Sequence, residues 1–315
     1  MEGLAVSTTI VAGGSITVDF GSASASVISS GGLEVVGANG GFGNDVSATV
    51  LTGGTLIVSQ GGAASAPTIS NGGALIVDGG QVTGNILNDG TLTLLGGGVF
   101  PATISGSGAL VLAGGGVYEL PTAANVTFSG IGNLLEIDSA AQFSSSGDVI
   151  SGFGRNEAIE LVGVAFNSAS TISLTTSNVL VISANGSSYS FHLDPNANYS
   201  GGTFGLFSAA GGADTVIGFN QQPITNGGTA IVSAGVVANL AVYSGGVDDV
   251  LSGGTASGTT LFRGGREIVS SGGLAISTTI AVHIVGRRRQ RHDHHQRRAA
   301  DRFRRRYGNR HLARR

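Results

Sequence analysis

The chain has 315 residues, 55 of them Gly and none Cys, and 41% of its residues are apolar while only 11% are charged. Disordered chains combine low hydrophobicity with high charge, and collagen needs Gly at every third position with abundant Pro, so the composition excludes both classes. The absence of Cys excludes disulfides and thiol chemistry, and no stretch reaches the roughly 18 apolar residues of a membrane helix.

The charge divides the chain into two parts. Residues 1–286 contain three Arg, no Lys and 17 acidic residues, a net charge of −14, whereas residues 287–315 contain 13 Arg and two Asp, a net charge of +11. An acidic, Lys-free body is a poor ligand for phosphate backbones. We therefore expect no nucleic-acid partner for residues 1–286.

A repeat runs through the chain. The octapeptide GLAVSTTI occupies residues 3–10, and GLAISTTI occupies residues 273–280. Glycine pairs follow one another at steps of 8 and 11 residues in both halves, which defines a period of 19 residues. The glycines that we predict to form the turns between strands are Gly53, Gly54, Gly61, Gly62, Gly72, Gly73, Gly245, Gly246, Gly253, Gly254, Gly264, Gly265, Gly272 and Gly273.

Short segments between the glycine pairs alternate apolar and polar residues. In chain order they include TLIVS at 55–59, ALIVD at 74–78, TLTLL at 91–95, ALVLA at 109–113 and REIVS at 266–270. This alternation predicts strands with one buried face. Five-residue strands bury a core only when successive coils stack, and a period of 19 residues is too short for a propeller blade of roughly 40. The sequence therefore predicts an all-β fold, a parallel β-solenoid.

The repeat is not uniform along the chain. We predict solenoid repeats at 1–98 and 224–286 and degenerate coils at 99–138. Residues 139–223 have fewer glycine pairs and more Phe, which indicates a non-repeat β-module with a small core of its own. Residues 287–315 form an Arg- and His-rich tail.

The motifs VLSGGTASGTTLFRGGREIVSSGG at 250–273 and VLTGGTLIVSQGG at 50–62 resemble the repeats of autotransporter adhesins, nearest to the type of the adhesin involved in diffuse adherence. Residues 147–166 resemble a module of alphaproteobacterial surface proteins. The resemblance implies a β-helical passenger on the surface of a Gram-negative bacterium, acting in adhesion, autoaggregation and biofilm formation. It also implies an export signal and an outer-membrane β-barrel, and because this sequence shows neither, we expect the chain to be a fragment of the full-length protein.

The tail GRRRQRHDHHQRRAADRFRRR at 286–306 allows three interpretations. Its arginines could bind phosphate or lipopolysaccharide, and His292, His294 and His295 could hold a metal. The third interpretation is a frameshift. Translating plausible codons one nucleotide later permits GAASGTTITSGG, which differs from GTASGTTLFRGG at 254–265 at four positions. We therefore predict that the tail is the next repeat in the wrong frame.

Five acidic residues are candidates for calcium ligands. GGFGNDVSA at 40–48 approaches the calcium-binding nonapeptide and contains Asp45. GGADTVIGF at 211–219, which contains Asp214, suggests the same idea, as do Asp148, Glu157 and Glu160. The nonapeptide occurs singly, and hard cations need six to eight oxygens. A glycine corner with Asp45 at the surface is the favoured alternative, so we predict no metal and no cofactor.

Catalytic signatures are weak. His192 beside Asp194 suits a strand residue before a turn. The pairs Glu136/Asp138 and Asp248/Asp249 could support acid–base chemistry on a polysaccharide, and Glu136 and Asp138, two residues apart, share a strand face. Solvated strand faces explain both pairs equally well, so we predict that the protein is not an enzyme.

The leading hypothesis is a secreted, cell-surface adhesin passenger. Its ladders of Ser, Thr and Asn would make many weak contacts to receptors, to glycans or to a second copy of the chain. A passive stalk that displays another domain is the first alternative, and a polysaccharide-cleaving β-helix enzyme is the second.

Overall fold

The computed structural model describes residues 3–100, 102–209, 212–233 and 235–281, with no side-chain description for residues 39, 98 and 99. The predicted tail at 287–315 lies outside the described residues, as does His283. Among the described residues no helix is long and apolar enough to cross a membrane. The described part is almost entirely β-structure, with a single α-helix, α1 (Ala140–Ser146), and a 3₁₀ turn at Ala38–Gly40.

Three strands in each coil build three sides of the first stack. The first sheet contains β1 (Leu4–Val6), β4 (Ser22–Ser24), β7 (Asn44–Val46), β10 (Ala63–Ser65) and β13 (Gln81–Thr83). The second contains β2 (Thr9–Ile10), β5 (Val27–Ile28), β8 (Thr49–Val50), β11 (Thr68–Ile69), β14 (Asn85–Asn88) and β17 (Thr103–Ser105). The third begins with β3 (Ser15–Val18), β6 (Leu33–Val36), β9 (Thr55–Ser59), β12 (Ala74–Asp78), β15 (Thr91–Leu95), β18 (Ala109–Ala113), β20 (Val126–Ser129) and β22 (Val149–Ser151).

All of these strands pair in parallel with the equivalent strand of the next coil. Thr55 pairs with Ala74, 19 residues on, and Leu33 pairs with Thr55, 22 residues on. Leu56, Leu75 and other apolar residues at this level point inward and are fully buried. The predicted parallel β-solenoid is confirmed.

The glycine pairs have two different roles at the corners. Gly53 has φ of 72°, a left-handed conformation that favours Gly, and the first members of the other predicted pairs also have positive φ. Gly54 is required for another reason, because a Cβ on it would lie 2.3 Å from the carbonyl oxygen of Ile28 in the preceding coil. The first glycine thus makes the turn, and the second lets the coils approach.

The third corner of each coil has no glycine pair. Ser7, Ala25, Ser47 and Ala66 occupy it on successive coils, each with φ between 49° and 60°. These residues lie between the first and second sheets, so each coil has three corners although the glycine pairs mark only two. Small residues in the left-handed region are costly for the backbone. We infer that stacking on the neighbouring coils stabilises the left-handed backbone at this corner.

Residues 139–223 join the first stack. A fourth sheet contains the parallel strands β16 (Gly98–Val99), β19 (Val117–Leu120), β21 (Leu134–Ile137) and β23 (Ala158–Leu161), followed by antiparallel β28 (Thr215–Phe219) and β27 (Phe204–Ser208). The third sheet ends with β26 (Ser187–Leu193) and antiparallel β25 (Val179–Ala184) and β24 (Thr171–Leu174).

The aromatic residues of this region pack against the solenoid interior. Phe128 from the stack lies 5.7 Å from Phe153, ring centre to ring centre, and Phe153 in turn stacks on Phe204 at 6.1 Å. These residues belong to the same buried cluster as Leu56 and Leu75. The small separate core expected for residues 139–223 is wrong, because the hairpins extend sheets that already have a buried face.

A second stack follows and runs back beside the first. Its first sheet contains β29 (Gln222–Ile224), β32 (Leu240–Val242), β35 (Thr260–Leu261) and β38 (Thr279–Ile280). Its second contains β30 (Thr229–Val232), β33 (Val247–Val250) and β36 (Arg266–Val269). Its third contains β31 (Gly235–Ala238), β34 (Gly254–Ser257) and β37 (Leu274–Ile276).

The direction follows from contacts along its length. Gln221, before β29, accepts the N–H of Asn156 at 2.8 Å. Further along the second stack, Phe262 lies against Gly132, and Arg263 lies near Gly96. The second stack therefore meets earlier and earlier parts of the first as it proceeds.

Candidate functional site

Two aromatic residues at corners of the second stack hold the stacks together. Tyr243 and Phe262 follow strands of the second stack at a corner position, and they are 1% and 5% exposed. Their rings lie 4.9 Å apart and pack with Leu134 and Ala158 of the first stack. Their burial removes an aromatic surface that an isolated stack would expose. The interface between the stacks is therefore apolar at its centre.

A buried polar network continues this interface. The Gln221 side chain donates to the Glu157 carbonyl at 3.0 Å and to the Tyr243 hydroxyl at 3.2 Å. The Asn133 N–H donates to the Glu157 carboxylate at 3.0 Å, yet burial raises the Glu157 pKa to about 8. The network ties residues of both stacks together, because buried polar groups need partners.

Beside the interface lies a cleft of about 580 Å³ between the two stacks. One wall carries Glu119 and Glu136, and the other carries Asn226, Ser244 and Arg263. The lining is completed by Val117 and the glycine pairs at 96–97 and 115–116, a group that is called the floor below. The volume lies within the range of about 300–1,000 Å³ that is common for small-ligand sites.

The two glutamates of the acidic wall belong to a row of three glutamates on neighbouring strands. Glu119, Glu136 and Glu160 are register partners on the adjacent strands β19, β21 and β23. Glu160 is 6% exposed beside Thr225 and its Oε2 has no hydrogen-bond partner among the described residues. Burial, followed by the charges of Glu160 and Glu119, raises the Glu136 pKa to about 7. The charge of Glu136 therefore changes near neutral pH.

The opposite wall carries a single positive charge. Arg263 is exposed, and within the described part of the chain its guanidinium makes no hydrogen bond or ion pair. It lies beside Gly96 across the cleft from the glutamates. The cleft therefore presents unpaired donors on one side and carboxylate acceptors on the other.

The structure separates the two acidic pairs noted in the sequence. Glu136 lines the cleft, whereas Asp138 is exposed beyond the end of β21 and is not among the lining residues. Asp248 is fully buried inside the second stack and accepts a hydrogen bond from Thr259 at 3.2 Å, while Asp249 is only half-buried. The expected solvated strand face is thus wrong for Asp248, because its position points into the core. Burial raises the Asp248 pKa to about 6.

The expected surface position of Asp45 is also wrong. Asp45 is 1% exposed and is aligned with the inward-facing Ala23 and Ala64 of neighbouring coils. Neither of its carboxylate oxygens has a hydrogen-bond partner among the described residues, and burial raises its pKa to about 6. The coil that contains the 3₁₀ turn has 22 residues instead of 19, and its register aligns Asp45 with the inward-facing residues of its neighbours.

Glu34 is the second buried acid in this part of the core. Ser26 donates to its Oε1 at 3.4 Å, and its Oε2 has no partner within the described chain. Burial, reinforced by the charge of Asp45, raises the Glu34 pKa to about 7. Sequence reasoning overlooked Glu34, although its position two residues after a glycine pair is occupied by Leu in the next coils.

The other candidates are Asp148, Asp214, His192 and Asp194. Asp148 follows α1, and Asp214 accepts the N–H of Gly163 at 2.7 Å. His192 lies within β26, and the Asp194 side chain accepts the N–H of Asn196 at 2.8 Å. In the described ranges no three His, Asp or Glu side chains form a group that could hold a metal ion. That no metal binds at Asp45, Asp148 or Asp214 stays a prediction.

No protein-family model matches the sequence, and no curated protein matches it. Among solved structures, the chain is similar to a fragment of TibA, residues 55–350, in its TibC-catalysed hyper-glycosylated form. The two are 24% identical in sequence, with a TM-score of 0.42, and the match covers 89% of this chain and 98% of the fragment.

Proposed function

We propose that the protein is an adhesin-like structural passenger, displayed on a bacterial cell surface, that binds through many weak contacts along its stacked coils. The observation behind this proposal is the repetition of polar side chains on the outer faces. Ser22 is stacked on Asn44, Thr49 on Thr68, and Thr260 on Thr279. Successive coils repeat such groups about every 4.8 Å.

Repetition at that spacing favours multivalent binding. A single hydroxyl or amide contact is worth little in water, but linked contacts act as one intramolecular event after the first has formed. The net charge of −14 for residues 1–286 disfavours anionic partners. The partners that fit are receptors, glycans or a second copy of the chain that offers hydroxyl and amide groups.

The folded-back arrangement favours an adhesive role over a passive stalk. A stalk contributes reach, and a second stack that returns beside the first shortens it. The same arrangement brings two sets of polar ladders to neighbouring surfaces, which raises the number of contacts per unit length. Catalysis by the pair Glu136 and Asp138 has less support, since the cleft contains only Glu136.

The test compares two valencies of the same full chain. Polystyrene beads coated at increasing density are mixed with bacterial and epithelial cells, and the soluble chain is measured separately. We expect adhesion and bead clustering that rise steeply with coating density, with weak binding by the soluble chain. Beads that fail to adhere at every density contradict the proposal, and beads coated with serum albumin are the control.

A further inference from the structure

The cleft between the stacks is a site of a different kind from the outer ladders. It is a single concave place, and its walls come from parts of the chain about 130 residues apart, such as Glu136 and Arg263. Concave sites with a few convergent polar groups are where small ligands usually bind. The chemistry of its walls indicates the kind of ligand.

The walls supply acceptors and donors together. Ionised Glu119 and Glu136 only accept hydrogen bonds, the Arg263 guanidinium only donates, and Asn226 and Ser244 do both. No ion pair joins Arg263 to the glutamates within the described chain, so these groups are available to a ligand. A molecule with several hydroxyls satisfies both walls at once, because each hydroxyl donates and accepts.

Two glycines of the floor, Gly97 and Gly116, cannot carry a side chain for steric reasons. A Cβ on Gly97 would lie 2.6 Å from backbone atoms of Val117, and one on Gly116 would lie 2.5 Å from the Gly97 nitrogen. Larger residues therefore do not fit at these positions. The glycine backbone and Val117 offer a surface that a ring can approach closely, with its C–H groups against apolar atoms.

Other ligand classes fit less well. When Glu136, whose pKa is about 7, is ionised, two glutamates against one arginine give the lining a net negative charge, which disfavours phosphates and acidic sugars. Hard cations need six to eight oxygens, and no metal-holding group occurs among the described residues. An apolar ligand would leave the charged groups of both walls without partners at a cost in binding free energy.

We infer that this cleft binds an uncharged saccharide, with Glu119 and Glu136 accepting from its hydroxyls, Arg263 donating to them, and the glycine floor supporting the ring. The inference rests on the proposed adhesive function, since it names the class of surface ligand that one discrete site of the adhesin recognises. It assigns ligand specificity to the junction between the stacks and avidity to the outer ladders.

The experiment uses the full chain and ligand-observed saturation-transfer NMR with glucose, galactose, mannose, maltose, lactose and cellobiose. The variants are Arg263→Ala and Glu136→Ala, and Arg266→Ala is the matched control because Arg266 is exposed outside the cleft on the following strand. We expect at least one sugar to bind, each cleft variant to weaken it about fivefold or more through a lost hydrogen bond, and the control to bind normally. Unchanged circular dichroism shows that each variant is folded.

Three outcomes overturn the inference: none of the six sugars binds, the cleft variants bind as the original chain does, or binding disappears with EDTA, which indicates a cation site. The bead assay keeps this failure apart from failure of the adhesive function. Beads that adhere although no sugar binds leave the adhesive function standing without the cleft. Sugar binding by a chain whose beads do not adhere supports the cleft and contradicts the adhesive function.

Discussion

The buried carboxyl group of Glu34 makes a sharp prediction about stability and pH. Glu34 is fully buried where the register partner in the next coil is Leu56, and its pKa is raised from 4.5 to about 7. At pH values below the unfolded pKa of 4.5 the carboxyl group is protonated in both the folded and the unfolded state, so its ionisation does not affect stability. As the pH rises from 4.5 to about 7, the unfolded chain ionises first, and the folded state loses stability relative to it.

The magnitude follows from the two pKa values. At about 1.4 kcal/mol per pH unit, the difference between 4.5 and about 7 corresponds to a loss of about 3 kcal/mol that is complete above pH 7. Glu34→Leu removes this loss and inserts the side chain that the neighbouring coil already accommodates. We expect the difference in unfolding free energy between the variant and the original chain to be about 3 kcal/mol larger at pH 8 than at pH 4.

The assay is urea unfolding followed by far-UV circular dichroism at both pH values, combined with hydrogen exchange of β6 and β9. Hydrogen exchange is needed because stacked coils can unfold separately. Glu34→Gln is the matched variant, since it keeps the shape and removes the charge, and it should lose the Glu34 contribution to the pH dependence without the apolar gain. A stability difference between Glu34→Leu and the original chain that is equal at pH 4 and pH 8 would refute the reasoning.

Two further predictions concern the coil corners and the second buried acid. Gly54→Ala should cost about 1–3 kcal/mol of unfolding free energy, because its Cβ would overlap the carbonyl oxygen of Ile28. Gly154→Ala is the control, since no atom lies within 4 Å of its Cβ, and it should change stability by less than about 0.5 kcal/mol. Equal urea midpoints for the two variants would contradict this account. Thr259→Val removes the hydrogen bond to Asp248 and should cost about 1–3 kcal/mol, more at pH 8 than at pH 5, since the Asp248 pKa rises further above about 6. An unchanged urea midpoint at pH 8 would show that this hydrogen bond does not stabilise the fold.

Much of the coil could be predicted from residues alone. The alternation in TLIVS and ALIVD specifies which side chains point inward, and Leu56 and Leu75 are fully buried. The steps of 8 and 11 between glycine pairs correspond to two corners whose backbone excludes other residues, as at Gly53 and Gly54. These features are local or repeat from coil to coil, so a short window of sequence contains their cause.

The cleft and the interface could not be predicted in this way. Tyr243 and Phe262 occupy corner positions that face solvent in an isolated stack, and only the returning second stack buries them. Glu34 and Asp45 follow the strand alternation, but acidic residues are expected at the surface, and the register nevertheless places both side chains inside.

The sequence by itself determined the coil, its period and its alternation, because neighbouring residues and steric limits at glycine act within one repeat. The tertiary structure alone decided where the chain turns back, and therefore that Glu136 and Arg263 face each other across one cleft. Contacts between residues more than a hundred positions apart depend on packing free energy between whole stacks, which no period in the sequence records.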